Sequence, residues 1–154
     1  MHFYVNFSSF NLPKNKKKLV EELIKIKNFL EKKKIRCIEI SYPRIKDIKD
    51  YFLREFARYD ILLNFNSFSS VAELKSYIDI SRKFKSNLIR VKFSNNLEFK
   101  RDSQYVFNKK MNNFIYILND IKDYLKEINF FIAIENHQDI DSNDFVKIFT
   151  NVKS

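Results

Sequence analysis

The chain reads as an α/β protein built on a parallel sheet, and three observations predict it. Short apolar runs of strand length alternate with longer amphipathic runs of helical period from end to end. No linker or low-complexity stretch interrupts that alternation. The 154 residues are 45% hydrophobic and 16% aromatic, enough apolar area for one core and too little chain for two catalytic domains, so residues 1–154 form a single domain.

The first strand is expected over Phe3 to Phe7. After Pro13 a helix begins whose apolar residues Leu19, Val20, Leu23, Ile24, Ile26, Phe29 and Leu30 recur at helical spacing, with Lys and Glu on its other face. The second strand runs from Ile35 to Ser41 and stops at Tyr42-Pro43, and a helix follows from Lys46 to Tyr59. The third strand is Ile61 to Asn66. Ser69 or Ser70 then caps a helix to Lys85, with Glu73 in its first turn as a capping-box acid. The fourth strand is Leu88 to Phe93. The polar stretch Ser94 to Gln104 is the only loop long enough to be a lid, and a long helix runs from Tyr105 to Lys126. The fifth strand, Phe130 to Glu135, is almost wholly apolar and is expected to be buried on both faces. Asp141 or Ser142 caps a last helix through Phe149.

Composition excludes whole classes of site. The chain has no glycine, so neither a Walker A loop nor a G-x-G-x-x-G turn can bring backbone amides against a phosphate. Asparagine must then serve where the backbone turns left-handed, and Asn87, Asn95 and Asn129 stand where glycine is expected. The 29 Lys+Arg against 19 Asp+Glu give a net charge of +10, but Lys, Asn, Ile and Phe are abundant together, the signature of an A+T-rich coding sequence. The lysine runs Lys14 to Lys18 and Lys32 to Lys34 read as solvated faces, and any nucleic-acid binding is expected to be nonspecific. Cys37, the one cysteine, sits in an apolar segment and reads as packing. No apolar run reaches membrane-spanning length and the N-terminus lacks a signal-peptide layout, so a cytoplasmic location and no membrane partner are expected.

Five βα units have two solutions: a five-stranded doubly wound sheet of order 2-1-3-4-5, or the first five units of an eight-unit β/α barrel in order 1-2-3-4-5. Length favours the first and the motifs favour the second. The most informative motif is Ile132-Ala133-Ile134-Glu135-Asn136-His137-Gln138-Asp139, an apolar strand ending in a cluster of carboxylates, amides and an imidazole. In α/β folds the carboxyl ends of strands form the ligand site, and Glu and His are both metal ligands and proton carriers. Glu135 and His137 are therefore the candidate catalytic residues. Glu39 at the end of the second strand and Arg90 in the fourth are candidate substrate-binding residues with Asn136, and an ion pair between Arg90 and Glu39 or Glu135 is the structural alternative.

The run IAIENHQDIDSNDFVKIFTNV resembles the fifth-strand segment of the sugar phosphate isomerase/epimerases, the xylose isomerase-like TIM barrels that share their fold with endonuclease IV. Residues Lys34 to Ile40 are similar to the second strand of that family, and Val71 to Val91 to the unit leading into its fourth strand, here Ile89-Arg90-Val91. The resemblance implies a partial β/α barrel, about the first five-eighths of one. It implies metal-assisted proton transfer on a sugar or sugar phosphate, with Glu135 as a ligand to a divalent metal, Mn or Mg, and as a proton-moving carboxylate. The family's other ligands, on strands six to eight, have no counterpart in these residues. The chain is accordingly expected to be a truncated barrel that binds metal weakly by itself and self-associates or pairs with a second chain. The rival reading is a non-catalytic half-barrel binding or assembly module. Stopping after the fifth strand is expected to leave Val5, Ile38 or Ile40, Leu63, Val91 and Ile134 facing an open interior.

Overall fold

The computed structural model describes residues 4–94, 104–135 and 140–152. The strand runs become β1 (Val5–Asn6), β2 (Cys37–Ser41), β3 (Asp60–Phe65), β4 (Leu88–Lys92) and β5 (Phe131–Glu135), all parallel and in the order β1-β2-β3-β4-β5. Sequential order is the arrangement expected above, and β1 lies at an edge. The helices are α1 (Lys16–Lys32), α2 (Tyr42–Ile45), α3 (Lys49–Glu55), α4 (Val71–Lys83), α5 (Gln104–Glu127) and α6 (Ser142–Asn151).

Parallel strands joined in sequence by right-handed crossovers receive every helix on the same face. Packing bears this out, because the hydrophobic core joins Leu23 and Leu30 of α1, Leu74 and Ile78 of α4 and Ile117 and Ile121 of α5 to one alternating set of strand residues. That set is Val5, Ile38, Ile40, Ile61, Leu63, Phe65, Ile89, Val91, Ile132 and Ile134. The complementary set, Asn6, Cys37, Glu39, Ser41, Leu62, Asn64, Leu88, Arg90, Lys92, Phe131, Ala133 and Glu135, faces away from the helices.

Two expectations are corrected by this division. Val5, Ile38, Ile40, Leu63, Val91 and Ile134 face the helix layer, and the side left without helices is the polar one. The inversion follows from the strand period of two, in which Glu39 and Arg90 fix the parity and the apolar residues between them must go to the helices. Nor is β5 buried on both faces, since Phe131 is 57% exposed. As an edge strand it packs only Ile132 and Ile134 against the core.

Local chemistry explains the shifted boundaries. The first strand ends at Asn6, whose side chain accepts from the Ser8 amide and starts a 3-10 turn over Phe7–Ser9. That turn drives Phe7 inward against Phe10, Phe52 and Phe56 at ring separations of 5.7, 6.4 and 5.9 Å. Pro43 occupies the first turn of α2, where its missing N–H costs nothing, so it opens a helix instead of merely ending a strand. The helix expected over Lys46 to Tyr59 is consequently split into α2, a 3-10 turn over Lys46–Ile48, and α3. Ser70 caps α4 by accepting from the Glu73 amide, and Asp141 and Asp144 form a capping box at the start of α6.

Among the described residues the left-handed positions are Lys34, Lys85 and Asn129, at φ 56, 58 and 50°. Each follows a helix whose last turn closes in the same way. The amides of Lys34 and Ile35 bond the carbonyls of Glu31 and Leu30, those of Lys85 and Ser86 bond Arg82 and Ser81, and those of Asn129 and Phe130 bond Lys126 and Leu125. This is the Schellman pattern, which favours glycine at the left-handed residue. Asn129 meets the expectation, Asn87 does not because the turn falls two residues earlier on Lys85, and Asn95 lies outside the described residues.

Lysine in this conformation carries a Cβ clash of about 1 kcal/mol or more that glycine lacks. Lys34→Gly and Lys85→Gly should each stabilise the fold by up to about 1 kcal/mol, and Asn129→Gly by less, read as a rise in urea midpoint at unchanged slope. A fall in midpoint for both lysine variants would contradict these helix ends.

Candidate functional site

Polar residues of β1 to β5 converge on the face without helices, and Glu39, expected at the end of the second strand, stands at the middle of β2, as Arg90 does in β4. Asn6 is in register with Glu39, Asn64 with Arg90, and Lys92 with Glu135, so β1 to β5 all carry polar side chains to one rim. Glu39 is the centre and is only 7% exposed. Its Oε1 accepts from the Arg90 guanidinium, from Asn64 Nδ2 and, at 3.2 Å, from Asn6 Nδ2. Arg90 Nε also donates to Asn64 Oδ1 at 2.7 Å and lies 3.7 Å from Glu135 Oε2. Asn64 thus links the two charges, giving to Glu39 and receiving from Arg90.

The arrangement holds two carboxylates on one guanidinium. Burying Glu39 alone would cost several kcal/mol, and the pairing with Arg90 offsets that cost with the two amides adding donors to the same oxygen. Glu135 lies at ion-pair distance from Arg90, and among the described residues Glu39 is the more heavily bonded of the two acids. The cluster therefore keeps one carboxylate locked and a second close by that can exchange partners.

A cavity of about 270 Å³ opens beside the cluster. Phe7, Ser8, Ser9, Asn11, Ser41 and Arg44 line it. Ser41 follows Glu39 by two residues on the same side of β2, and the Ser8 hydroxyl donates at 2.7 Å to Asn6 Oδ1, which ties the cavity wall to the Glu39 network. Arg44 in α2 is exposed and makes no ion pair among the described residues.

Of the residues singled out by sequence, Glu39, Arg90 and Glu135 come together, and Arg90 pairs with both acids. Asn136, His137 and Asp139 lie outside the described residues. Asn6, Asn64, Ser8 and Arg44 were not anticipated. Their signal was present for the two asparagines, since a lone amide in FYVNF and in DILLNF shares the alternation that carries Glu39. Arg44 had none, because its place depends on the helix that Pro43 opens.

The described part of the donor set is already engaged with a cation. Glu39 and Glu135 stand on either side of a guanidinium that already supplies the positive charge, and no group of three His, Cys, Asp or Glu able to hold a metal occurs among the described residues.

Cys37 shares this face at the opposite end of β2, with Sγ 3.7 Å from Asp60 Oδ2. Burial, then the Asp60 charge and its hydrogen bond, push the thiol above its ordinary range. A raised value means less thiolate at any given pH, so alkylation of the folded protein should follow a higher titration midpoint than that of the unfolded chain and run slower at pH 8 than in denaturant. Asp60→Asn should lower that midpoint, and a native midpoint at or below the ordinary one would contradict the burial.

No family model, no curated protein and no solved structure matches this chain.

Proposed function

We propose that the chain is part of a sugar phosphate isomerase/epimerase-like β/α barrel, five βα units whose shared rim binds a sugar or sugar phosphate. The observation that carries this reading is the convergence of Glu39, Asn64, Arg90 and Glu135 from four consecutive parallel strands on the face without helices, Glu39 and Arg90 at mid-strand and Asn64 and Glu135 toward the carboxyl ends. That is where a barrel places its chemistry, and sequential order with one-sided helices is what a barrel segment requires. The resemblance of the segment ending in Glu135 to the family's fifth strand supports it.

In this reading the cavity takes the anionic end of the ligand. Arg44 binds the phosphate, with the hydroxyls of Ser8, Ser9 and Ser41 as further donors. Glu39 and Asn64 bind sugar hydroxyls. Glu135 removes the proton α to the carbonyl; the C–H electron pair becomes the C=C bond, the carbonyl π pair moves to the oxygen, and Arg90 neutralises the enediolate that forms. Return of the proton to the neighbouring carbon isomerises the sugar, and return to the opposite face epimerises it. His137 and Asn136 take the roles of second proton carrier and sugar ligand in this reading. A metal is given no step here, because Arg90 occupies the position of positive charge between the acids.

A second reading has an observation of its own. Arg90 ties both carboxylates into ion pairs, an arrangement that would also suit a half-barrel that binds or assembles without catalysis.

The test is deuterium exchange. Incubated in D2O with pentose and hexose phosphates, the protein should introduce deuterium α to the carbonyl, seen by NMR. Glu135→Gln should abolish the exchange, and Arg44→Ala should weaken phosphate-dependent binding about tenfold, as expected for a charge-assisted contact. Binding without exchange would support the non-catalytic reading, and absence of both would overturn the sugar assignment.

A further inference from the structure

Because the strands are parallel, every junction leading from a helix into a strand lies at the amino end of the sheet, opposite the end that carries Asn64 and Glu135. Three consecutive junctions there are rich in cations. That of α1 with β2 holds Lys32, Lys33, Lys34 and Arg36, that of α3 with β3 holds Arg58, and that of α4 with β4 holds Arg82, Lys83 and Lys85, all of them exposed. None of these side chains makes an ion pair among the described residues. The acids of the same junctions are Glu31 and Asp60, and Asp60 lies against Cys37 at 3.7 Å. Glu55, just before the second junction, is paired with Lys27 and Arg54.

In the sequence Lys32 to Lys34 is one solvated run, and the fold joins it to the other two junctions. The Arg36 guanidinium lies 5.9 Å from the centre of the Tyr59 ring, and the Asp60 amide donates to the Arg36 carbonyl at 2.8 Å. Tyr59 in turn lines a cavity of about 60 Å³ together with Lys83 and Lys85. Helix ends have a use for some positive charge, since each carboxyl terminus carries about half a negative charge. Backbone amides already bond the last carbonyls of α1 and α4, however, and eight cations exceed what three termini can use. Lys34 and Lys85 also hold left-handed backbone positions where asparagine costs less.

We propose that this end of the sheet binds the phosphate backbone of double-stranded nucleic acid without regard to base sequence. Helices packed about 10 Å apart spread the three junctions over about 20 Å, along which a duplex presents a charge roughly every 1.7 Å. Cations at fixed places on ordered turns suit phosphates held at fixed spacing. A single strand would need aromatic faces for its bases, and Tyr59 and Phe84 of these junctions are buried, at 6% and 5% exposure. Insertion into a lipid surface would need exposed apolar side chains, and the large exposed ones lie outside these junctions. Duplex binding here is independent of the sugar reading, which concerns the other end of the sheet.

Fluorescence anisotropy of a labelled DNA duplex of about 20 base pairs tests it. Binding should be micromolar at about 50 mM salt, equal for unrelated sequences, and should weaken with a log–log salt slope of about −4 or steeper. Lys34→Asn with Lys85→Asn removes two of the cations in favour of a residue that tolerates the left-handed backbone, so the fold is kept. Affinity should then fall about tenfold and the slope flatten by about 2. Lys16→Gln with Lys17→Gln takes the same charge from the start of α1, at the opposite end, and should change affinity less than about twofold. Equal losses in the two double variants would show attraction to net charge alone and overturn the proposal. So would the absence of duplex binding at low salt. Tighter binding to phosphatidylserine vesicles than to the duplex would also overturn it and identify a lipid surface.

Discussion

Burying the Glu39 carboxylate takes a full charge out of water, and the polar side of the sheet is arranged around its compensation. Arg90 crosses from β4, Asn64 reaches from β3 and Asn6 from β1, so one oxygen of one side chain draws on three other strands. The parity of these strands follows from that constraint. Once Glu39 and Arg90 face each other away from the helices, Ile38, Ile40, Ile89 and Val91 must face toward them, and they form the core. Strand order does the rest, because a sequential parallel sheet has all its helices on the other side and leaves the charged cluster a free rim.

Much of this was legible in the sequence because it rests on period. Alternating apolar runs located all five strands, and β3 and β4 fell within a residue of their expected bounds. Glu39, Arg90 and Glu135 were legible as a group because each is a charge carried by an otherwise apolar strand. Other features depend on contacts that period does not encode. Which side of the sheet the apolar residues take was misread, since alternation defines two faces without saying which one the helices cover. The shift from Asn87 to Lys85 at a left-handed turn reflects where the Schellman bonds close, a matter of helix length and not of which residue tolerates the geometry best. The short α2 was hidden because Pro43 was read as a stop, although its effect at a first helical turn is the reverse.

The same network sets the terms for any ligand at the rim. A molecule that bonds Glu39 or Glu135 must replace contacts the two acids already make with Arg90 and Asn64, so it must bring comparable donors and acceptors of its own. A polyhydroxylated ligand does so with alternating hydroxyls, and the adjoining cavity with Arg44 offers a separate anchor for an anionic group. Glu135 can exchange partners with less disruption than Glu39, and the proposed division of labour between a binding and a proton-moving carboxylate follows that difference in attachment.

The central claim is that the Glu39 and Arg90 pair organises this face, and a double-mutant cycle measures it directly. Glu39→Gln, Arg90→Met and the double variant are unfolded in urea and their stabilities compared with the wild type. The account predicts that Arg90→Met alone is the most damaging change, because it leaves a buried carboxylate uncompensated, and that the coupling between the two sites exceeds about 2 kcal/mol. A coupling below about 0.5 kcal/mol, with the two single losses simply adding, would contradict it.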